Sequence, residues 1–228
     1  MLDIAANLAR VRERLALAAE RAGRRPDDVL LIGVSKTVDV ERIRLAVAAG
    51  VRVLGENRVQ EAKSKVAELG RPAAWHLIGH LQTNKVKDAL ELFDVIHSLD
   101  RLELAREVER RAAARGQTVD ALLQVNVAAE ASKGGVGPEA VAETLDAIGK
   151  LAHVRVRGLM TIPPETEKPD DARPWFRRLR ELRDHTEKRP GDLRELSMGM
   201  SGDYEVAVEE GATMIRIGTA LFGARPTE

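Results

Sequence analysis

The chain of 228 residues carries 36 lysine and arginine residues against 36 aspartate and glutamate residues, so its formal net charge is zero. This balance predicts no general attraction to nucleic acid or to an anionic membrane surface. The absence of cysteine excludes disulfides, thiolate metal sites and cysteine nucleophiles. An apolar content of 44% indicates a chain that buries a sizeable core, and we expect a single domain over residues 1–228.

The N-terminal segment has the spacing of an amphipathic helix. Its helically spaced apolar residues are Leu8, Val11, Leu15 and Ala18. Gly23 follows as a natural stop, so we expect a leading helix from Leu2 to Ala22. Arginine and glutamate interrupt the apolar positions, which is not typical of a signal peptide or a membrane-spanning helix. A cytoplasmic location is the resulting expectation.

Eight short apolar runs follow, separated by amphipathic stretches that are typical of helices. They are residues 29–34, 51–54, 75–78, 95–97, 122–127, 154–160, 193–198 and 214–217. Most are rich in Val, Ile and Leu without strict polar alternation, as expected for parallel strands that are covered on both faces. The alternation of strands with helices is compatible with two architectures, an open doubly wound sheet and a closed barrel. Eight repeats favour an α/β fold consisting of a single (β/α)8 TIM-type barrel with an extra N-terminal helix.

Helix boundaries can be placed between the predicted strands. Asp39 and Asp100 are positioned to cap two helices that each end before a glycine. Pro138 suits the first turn of a later helix. Residues 163–174 are best interpreted as a long loop after the sixth strand. The arginine-rich stretch 173–183 is interleaved with leucine and glutamate, which favours a solvated amphipathic helix over an RNA-binding patch.

Lys36 is the first candidate for chemistry, because barrel enzymes build their sites where strands end. The first run ends in Gly33-Val34-Ser35-Lys36. A lysine in a partly desolvated barrel mouth has a lowered pKa and can condense with an aldehyde. A lone lysine at a strand end more often extends into solvent, so this interpretation needs support from elsewhere in the chain.

Two clusters near the C-terminus supply that support. Ser201 and Gly202 follow the seventh run, and Gly218 and Thr219 follow the eighth. Hydroxyl and backbone N–H groups at these positions can hold an anion, and the loops after strands seven and eight are the usual phosphate position in this fold. The alternative is that the glycines only make tight turns. Two clusters on adjacent strands favour a phosphate site.

Arg216 alternates with Ile215 and Ile217 in the last run, so its side chain points to the opposite face from theirs. An arginine inside a barrel must find a hydrogen-bonding partner. A pyridine nitrogen is one such partner.

Three further residues are candidates for ligand contacts. Asn57 and His80 follow the second and third strands, and Met160 ends the sixth, where it either lines the mouth or belongs to the core. His76 and His80 are spaced like metal ligands, but no cysteine or His-Glu pair completes such a site. We therefore expect no metal, and His76 is interpreted as a structural histidine.

These motifs resemble the family of pyridoxal-phosphate homeostasis proteins over nearly the whole chain. The matching segments are Gly33-Val34-Ser35-Lys36, Gly55-Glu56-Asn57, Trp75-His76-Leu77-Ile78-Gly79-His80-Leu81-Gln82, Gly158-Leu159-Met160-Thr161, Leu196-Ser197-Met198-Gly199-Met200-Ser201-Gly202-Asp203 and Arg216-Ile217-Gly218. The resemblance implies a fold-type III barrel like the N-terminal domain of bacterial alanine racemase.

The resemblance also implies roles for individual residues. Lys36 would carry pyridoxal 5′-phosphate (PLP) as a Schiff base, and Arg216 would face the pyridine nitrogen. The residues implied to hold the phosphate are Ser201, Gly202, Gly218 and Thr219. Because arginine keeps its proton, the ring opposite Arg216 would be a weaker electron sink than a ring that faces a carboxylate.

Catalysis by such a protein would lack a second proton-transfer group. In the racemases a second domain brings a tyrosine to the partner's site, whereas this sequence runs only to Glu228 and Tyr204 is its only tyrosine. We therefore expect a monomeric, non-catalytic protein that binds, stores or delivers PLP within the cell. The alternative is a small PLP-dependent amino-acid racemase. Delivery by direct contact with apo PLP-dependent enzymes is compatible with the first interpretation.

Overall fold

The structure is a computed structural model that describes residues 3–130, 133–186 and 193–224. Eight parallel strands form a closed barrel in chain order. The strands are β1 (Leu30–Val34), β2 (Val53–Glu56), β3 (Ala74–Leu77), β4 (Val95–Leu99), β5 (Val119–Gln124), β6 (Val154–Met160), β7 (Glu195–Met200) and β8 (Met214–Ile217). Strand β8 pairs with β1, with Gly33 opposite Ile217, and this pairing closes the barrel. The predicted barrel and all eight predicted strands are confirmed.

Helices alternate with the strands around the outside of the barrel. They are α1 (Ile4–Arg21), α2 (Val40–Ala48), α3 (Val59–Leu69), α4 (Val86–Leu92), α5 (Leu102–Ala113), α6 (Val141–Ile148), α7 (Arg173–Thr186), α8 (Tyr204–Glu209) and α9 (Thr219–Phe222). Within the described ranges, no helix is both long enough and apolar enough to cross a membrane. Pro138 opens a short 3-10 turn that leads into α6, as expected of a proline at a first helical turn.

The predicted leading helix is confirmed as α1. Its N-cap is Asp3, whose carboxylate accepts the N–H of Ala6 at 2.9 Å, and Leu2, where we expected the helix to begin, lies outside the described residues. The buried face of α1 packs against α8 and α9, and the Asn7 amide donates to the Leu221 carbonyl at 3.0 Å. The extra helix therefore covers the seam where the chain closes the barrel.

One of the two predicted aspartate caps is wrong. Asp39 does cap α2, because its carboxylate accepts the N–H of Arg42 at 2.9 Å. Asp100 does not cap α5, which has Arg101 at its N-cap position with no side-chain capping bond. The carboxylate of Asp100 is nearly buried and pairs with the guanidinium of Arg101 and with His80 Nδ1, at 3.2 Å. These cationic or donor groups attract the carboxylate more strongly than the helix amides do.

The arginine-rich stretch forms α7, an amphipathic helix as expected. Its guanidinium groups bind carboxylates at the end of α8: Arg173 reaches Glu209 at 2.7 Å, and Arg177 reaches Glu210 at 3.0 Å. The arginines therefore fasten α7 to α8.

The core has two layers. Most buried apolar residues lie between the strands and the surrounding helices. A smaller cluster fills the barrel interior and consists of Ile32, Val53, Leu122, Met160 and Met214. Arg216 lies opposite Ile32 in the pairing of β8 with β1 and two residues beyond Met214, so it shares the interior face with that cluster.

Candidate functional site

Lys36 lies directly after β1, at the carboxyl-terminal edge of the barrel, and lines a cavity together with Gly218 and Thr219. The closing pair of strands, β1 and β8, brings these residues together although they are far apart in the sequence. The ε-amine of Lys36 makes no hydrogen bond or ion pair with any described residue. The structure therefore unites three of the predicted site residues around an available amine.

Ser201 connects the two C-terminal clusters. Its hydroxyl oxygen accepts the N–H groups of Gly218 and Ala220, both at 3.2 Å. Because the oxygen serves as acceptor in these bonds, the hydroxyl proton is free to be donated to an anion. Ser201 thereby joins the loop after β7 to the turn after β8.

The donor groups around Ser201 fit a phosphate. Among the described residues, the N–H groups of Gly202 and Thr219 and the hydroxyl of Thr219 have no hydrogen-bond partner. A Cβ atom on Gly202 would meet no atom within 4 Å, and its φ is not positive, so neither packing nor backbone conformation requires glycine there. A cluster of unpaired donors with open space beside them is suited to a polyanionic group.

Arg216 is almost fully buried in the barrel interior, as its place in the strand predicts, and 3% of its surface is exposed. Its guanidinium donates to the Ser197 hydroxyl at 2.7 Å and to the Thr161 carbonyl at 2.8 Å. Burial lowers the pKa of Arg216 to about 10, partly offset by the negative charge of Asp203. The side chain is therefore still a cation at neutral pH.

Two buried histidines extend this arrangement across the barrel. His97 Nδ1 lies 2.9 Å from the Ser197 hydroxyl, and His97 Nε2 lies 2.9 Å from His76 Nδ1. These contacts make a continuous hydrogen-bonded series from Arg216 through Ser197 and His97 to His76. We call Arg216, Ser197, His97 and His76 the interior chain. The interpretation of His76 as a structural histidine is confirmed.

The histidines of the interior chain are neutral at physiological pH. Burial lowers the pKa of His76 to about 4, and burial together with nearby positive charge lowers the pKa of His97 well below its usual range. Among the four residues of the interior chain, Arg216 is then the only one that carries a charge. Sequence reasoning missed His97 and Ser197, although both lie in predicted strands, because their meeting depends on strand register.

Asn57 and His80 line a different cavity from that of Lys36. Their cavity lies between the loops after β2 and β3 and is also lined by Arg58 and Lys85. The imidazole of His80 is 58% exposed. The structure brings Asn57 and His80 to one cavity and Lys36 to another, so their contact with a cofactor stays a prediction.

The structure buries Met160 completely in the barrel interior. Of the two alternatives for this residue, lining the mouth or belonging to the core, the structure shows core. Gly202 lines a further cavity with Asp203 and with Lys133 and Ile162 from neighbouring loops. Among the described residues, no group of three or more His, Asp or Glu side chains is arranged to hold a metal ion.

The barrel is similar to the N-terminal domain of alanine racemases. Residues 6–226 match the family described as alanine racemase, N-terminal domain. The fold is also similar to an alanine racemase of Clostridium difficile, with a TM-score of 0.73 and 16% identity over 99% of this chain and 58% of that one. The fold and the family match together define a barrel of the alanine racemase N-terminal domain class.

More similar relatives narrow this class. The chain is 51% identical over 220 residues to the pyridoxal phosphate homeostasis protein of Aquifex aeolicus, covering 96% of each, and 46% identical to that of Pseudomonas aeruginosa, covering 99% of this chain and 97% of the relative. It is also similar to PipY of Synechococcus elongatus, solved with PLP bound, with a TM-score of 0.83 and 40% identity over 96% of this chain and 100% of that one. The chain belongs to the family of pyridoxal phosphate homeostasis proteins.

Proposed function

We propose that this protein binds PLP through Lys36 and contributes to intracellular PLP homeostasis by binding, storing or delivering the cofactor, without catalytic turnover. The observation that carries the proposal is the shared cavity of Lys36, Gly218 and Thr219, in which an available amine lies beside hydroxyl and amide donors. The names of the relatives, and the PLP bound to PipY, support it.

The proposed attachment assigns one task to each group. The Lys36 amine holds the cofactor covalently, since bound PLP supplies an aldehyde. The phosphate is held by the hydroxyls of Ser201 and Thr219 and by the N–H groups of Gly202 and Thr219, and Gly218 positions Ser201 by donating its N–H to that hydroxyl. These bonds orient the cofactor before and after its covalent capture.

Arg216 is proposed to face the pyridine nitrogen. Its guanidinium is fixed by Ser197 and Thr161, and because its pKa of about 10 still lies well above neutral pH it keeps its proton opposite that nitrogen. An unprotonated ring withdraws electrons weakly, so Arg216 favours holding the cofactor over driving carbanion chemistry. Asn57 and His80 are proposed to reach the ligand from the cavity that they line beside the site. Met160 is proposed to support the ligand from the barrel interior beneath it.

Tyr204 supports the absence of turnover. Racemisation needs a proton donor and acceptor on each face of the substrate carbon. Tyr204 is the only tyrosine, and it is 3% exposed within the apolar core around α8. Burial also raises the pKa of its phenol, so less of the phenolate that could accept a proton is present at neutral pH. Among the described residues that line the Lys36 cavity, none adds a histidine, carboxylate or tyrosine to serve as a second base.

Transfer of PLP to an apoenzyme tests the proposed role. The PLP-loaded protein is mixed with a PLP-dependent apoenzyme, and recipient activity and the donor's visible absorbance are followed together. We expect the recipient to gain activity as the donor band declines. An identical time course with an equal concentration of free PLP in place of the donor would contradict direct delivery, and a donor without a visible band after loading would contradict binding through Lys36.

A further inference from the structure

Lys65 is a buried lysine that lies under the loop carrying Lys36. It projects inward from α3, and 8% of its side chain is exposed. Its ammonium donates to the Ser35 carbonyl at 2.6 Å, to Glu56 at 2.6 Å and to Glu61 at 2.7 Å. Lysine is almost never this buried unless it is paired, and here all three N–H donors have acceptors.

The three acceptors of Lys65 hold the chain on both sides of Lys36. On one side, the Ser35 hydroxyl donates to Glu56 Oε1 at 2.7 Å while the Ser35 carbonyl accepts from Lys65. On the other side, the Thr37 N–H donates to Glu61 Oε1 at 2.6 Å. Both neighbours of Lys36 are therefore fixed, whereas the Lys36 amine itself takes no part in the network.

Thr37 shows why its position needs such support. Its φ is 62°, one of two positive values among the described non-glycine residues. A β-branched residue rarely adopts this left-handed conformation. The Ser35 carbonyl also accepts the N–H of Val38 at 2.9 Å, so Lys36 lies in a tight turn whose next residue is strained. The Glu61 carboxylate holds that strained residue in place.

The Lys65 ammonium and the carboxylates of Glu56 and Glu61 depend on one another for their charged states. Burial raises the pKa of Glu56, and the hydrogen bond from Lys65 opposes this rise. Burial also pushes the pKa of Glu61 upward, but its bonds to Lys65 and to the Thr37 N–H outweigh burial and lower it. Removing the Lys65 ammonium would leave Glu56 buried without a counterion, which is strongly unfavourable.

We propose that Lys65, acting with Glu56 and Glu61, is a positioning residue that sets the turn at Lys36 and so directs its amine into the cavity shared with Gly218 and Thr219. The inference rests on the proposed function, because it concerns how Lys36 is presented to PLP. In the attachment step, the Lys36 nitrogen adds to the aldehyde carbon and the carbonyl oxygen leaves as water. Lys65 is not consumed and does not contact the cofactor.

The first test separates positioning from a merely structural ion pair. Lys65→Met is compared with Lys63→Met, which removes an exposed lysine from the same helix. For each variant, affinity for PLP, the rate of borohydride-trappable attachment and affinity for inorganic phosphate are measured. Lys65→Met should lose at least about tenfold in PLP affinity and attachment rate, the loss expected for one charge-assisted hydrogen bond, while its phosphate affinity stays unchanged. Lys63→Met should behave like the wild type.

A second test remains decisive if Lys65→Met does not fold. Glu61→Ala removes the acceptor for Thr37 but leaves Lys65 bound to Glu56. It should weaken PLP attachment, and Thr37→Gly in the same chain should restore most of the loss, because glycine adopts a positive φ without strain. A purely structural ion pair gives no such rescue.

The outcomes separate this inference from the proposed function. If Lys36→Ala retains covalent PLP, the proposed attachment is wrong. If Lys36→Ala loses it while Glu61→Ala and any folded Lys65→Met attach PLP as the wild type does, only the positioning role is overturned. An unrescued Glu61→Ala defect would also contradict the role assigned to the turn.

Discussion

The guanidinium of Arg216 donates a hydrogen bond of 2.7 Å to the hydroxyl of Ser197, which in turn lies 2.9 Å from His97 Nδ1. This bond couples the last strand of the barrel to β4 through the interior. As a result, the buried guanidinium of Arg216 is held in one orientation by uncharged hydrogen-bond partners. The neutral side chains of Ser197, His97 and His76 cannot return a proton to Arg216. Arg216 therefore acts as a fixed hydrogen-bond donor and not as a proton shuttle.

Replacing Ser197 by Ala should therefore destabilise the protein. The change leaves the buried Arg216 Nη1 and His97 Nδ1 without the hydroxyl that each contacts, which costs about 1–3 kcal/mol in the free energy of unfolding. Chemical denaturation measures this cost. Ser98→Ala is a matched control, because Ser98 is also fully buried in the barrel wall but its hydroxyl has no hydrogen-bond partner in the described part of the chain. Equal losses in the two variants would contradict the role given to Ser197.

The depressed pKa of His76 predicts a pH dependence of stability. In the folded protein this pKa is about 4, against a usual value of 6.5, so the unfolded chain takes up the proton first as the pH falls. The stabilisation is fully present above pH 6.5 and is lost progressively toward pH 4. It amounts to up to about 3 kcal/mol.

His76→Gln checks this dependence, since glutamine does not titrate. Its free energy of unfolding should vary less between pH 6.5 and pH 4 than that of the wild type. His185→Gln, which removes an exposed histidine, should keep the wild-type profile. A His76→Gln curve parallel to the wild-type curve would show that His76 does not titrate abnormally.

The proposed phosphate contacts can be tested without touching the covalent bond. Thr219→Val removes a hydroxyl that has no partner among the described residues, whereas Ser201→Ala also breaks bonds to two backbone N–H groups. Each hydroxyl bond to a phosphate is worth roughly 1.5–3 kcal/mol, so each change should weaken PLP binding by tenfold or more.

The readout for these two variants is the dissociation constant for PLP and for inorganic phosphate. Both constants should rise together, while borohydride still traps PLP at saturating concentration. Ser64→Ala, on an exposed face of α3, is the control. Unchanged phosphate affinity in both Thr219→Val and Ser201→Ala would place the phosphate elsewhere.

The proposed lack of turnover, argued from Arg216 and from the buried position of Tyr204, predicts that the loaded protein does not racemise amino acids. The loaded protein is incubated with L-alanine in deuterated water, and α-proton exchange and D-alanine are both followed. We expect at most slow exchange, because at the proposed site Lys36 would act on the substrate carbon from one face and no second base is assigned to the other. Racemisation on the order of 1–10³ per second would support the racemase alternative.

The barrel was predictable from the sequence because each parallel strand is buried on both faces and leaves an apolar run. The placement of Lys36 after β1 and of Ser201 after β7 follows from the same runs. The interior chain was not predictable, because His97 and Ser197 meet only through strand register and are 100 residues apart. Register is set by the closure of the whole barrel and not by any local pattern.

The failed cap at Asp100 and the burial of Lys65 have a similar cause. A local rule assigned the Asp100 carboxylate to helix amides, but the fold brings His80 from another loop within 3.2 Å of it. Lys65 occupies an inward position of α3, three residues after the buried Ala62, yet a charged residue there interrupts the apolar pattern. Only the tertiary structure supplies the carboxylates that make its burial favourable.

Reduction of the PLP-loaded protein with borohydride, followed by peptide mass mapping, tests the central claim most directly. Reduction fixes the cofactor to whichever lysine holds it. We predict a single modified peptide with the added mass on Lys36, and no visible absorbance band or trapped cofactor in the Lys36→Ala variant. A modified peptide that carries the mass on another lysine, together with an unchanged visible band in Lys36→Ala, would contradict the account.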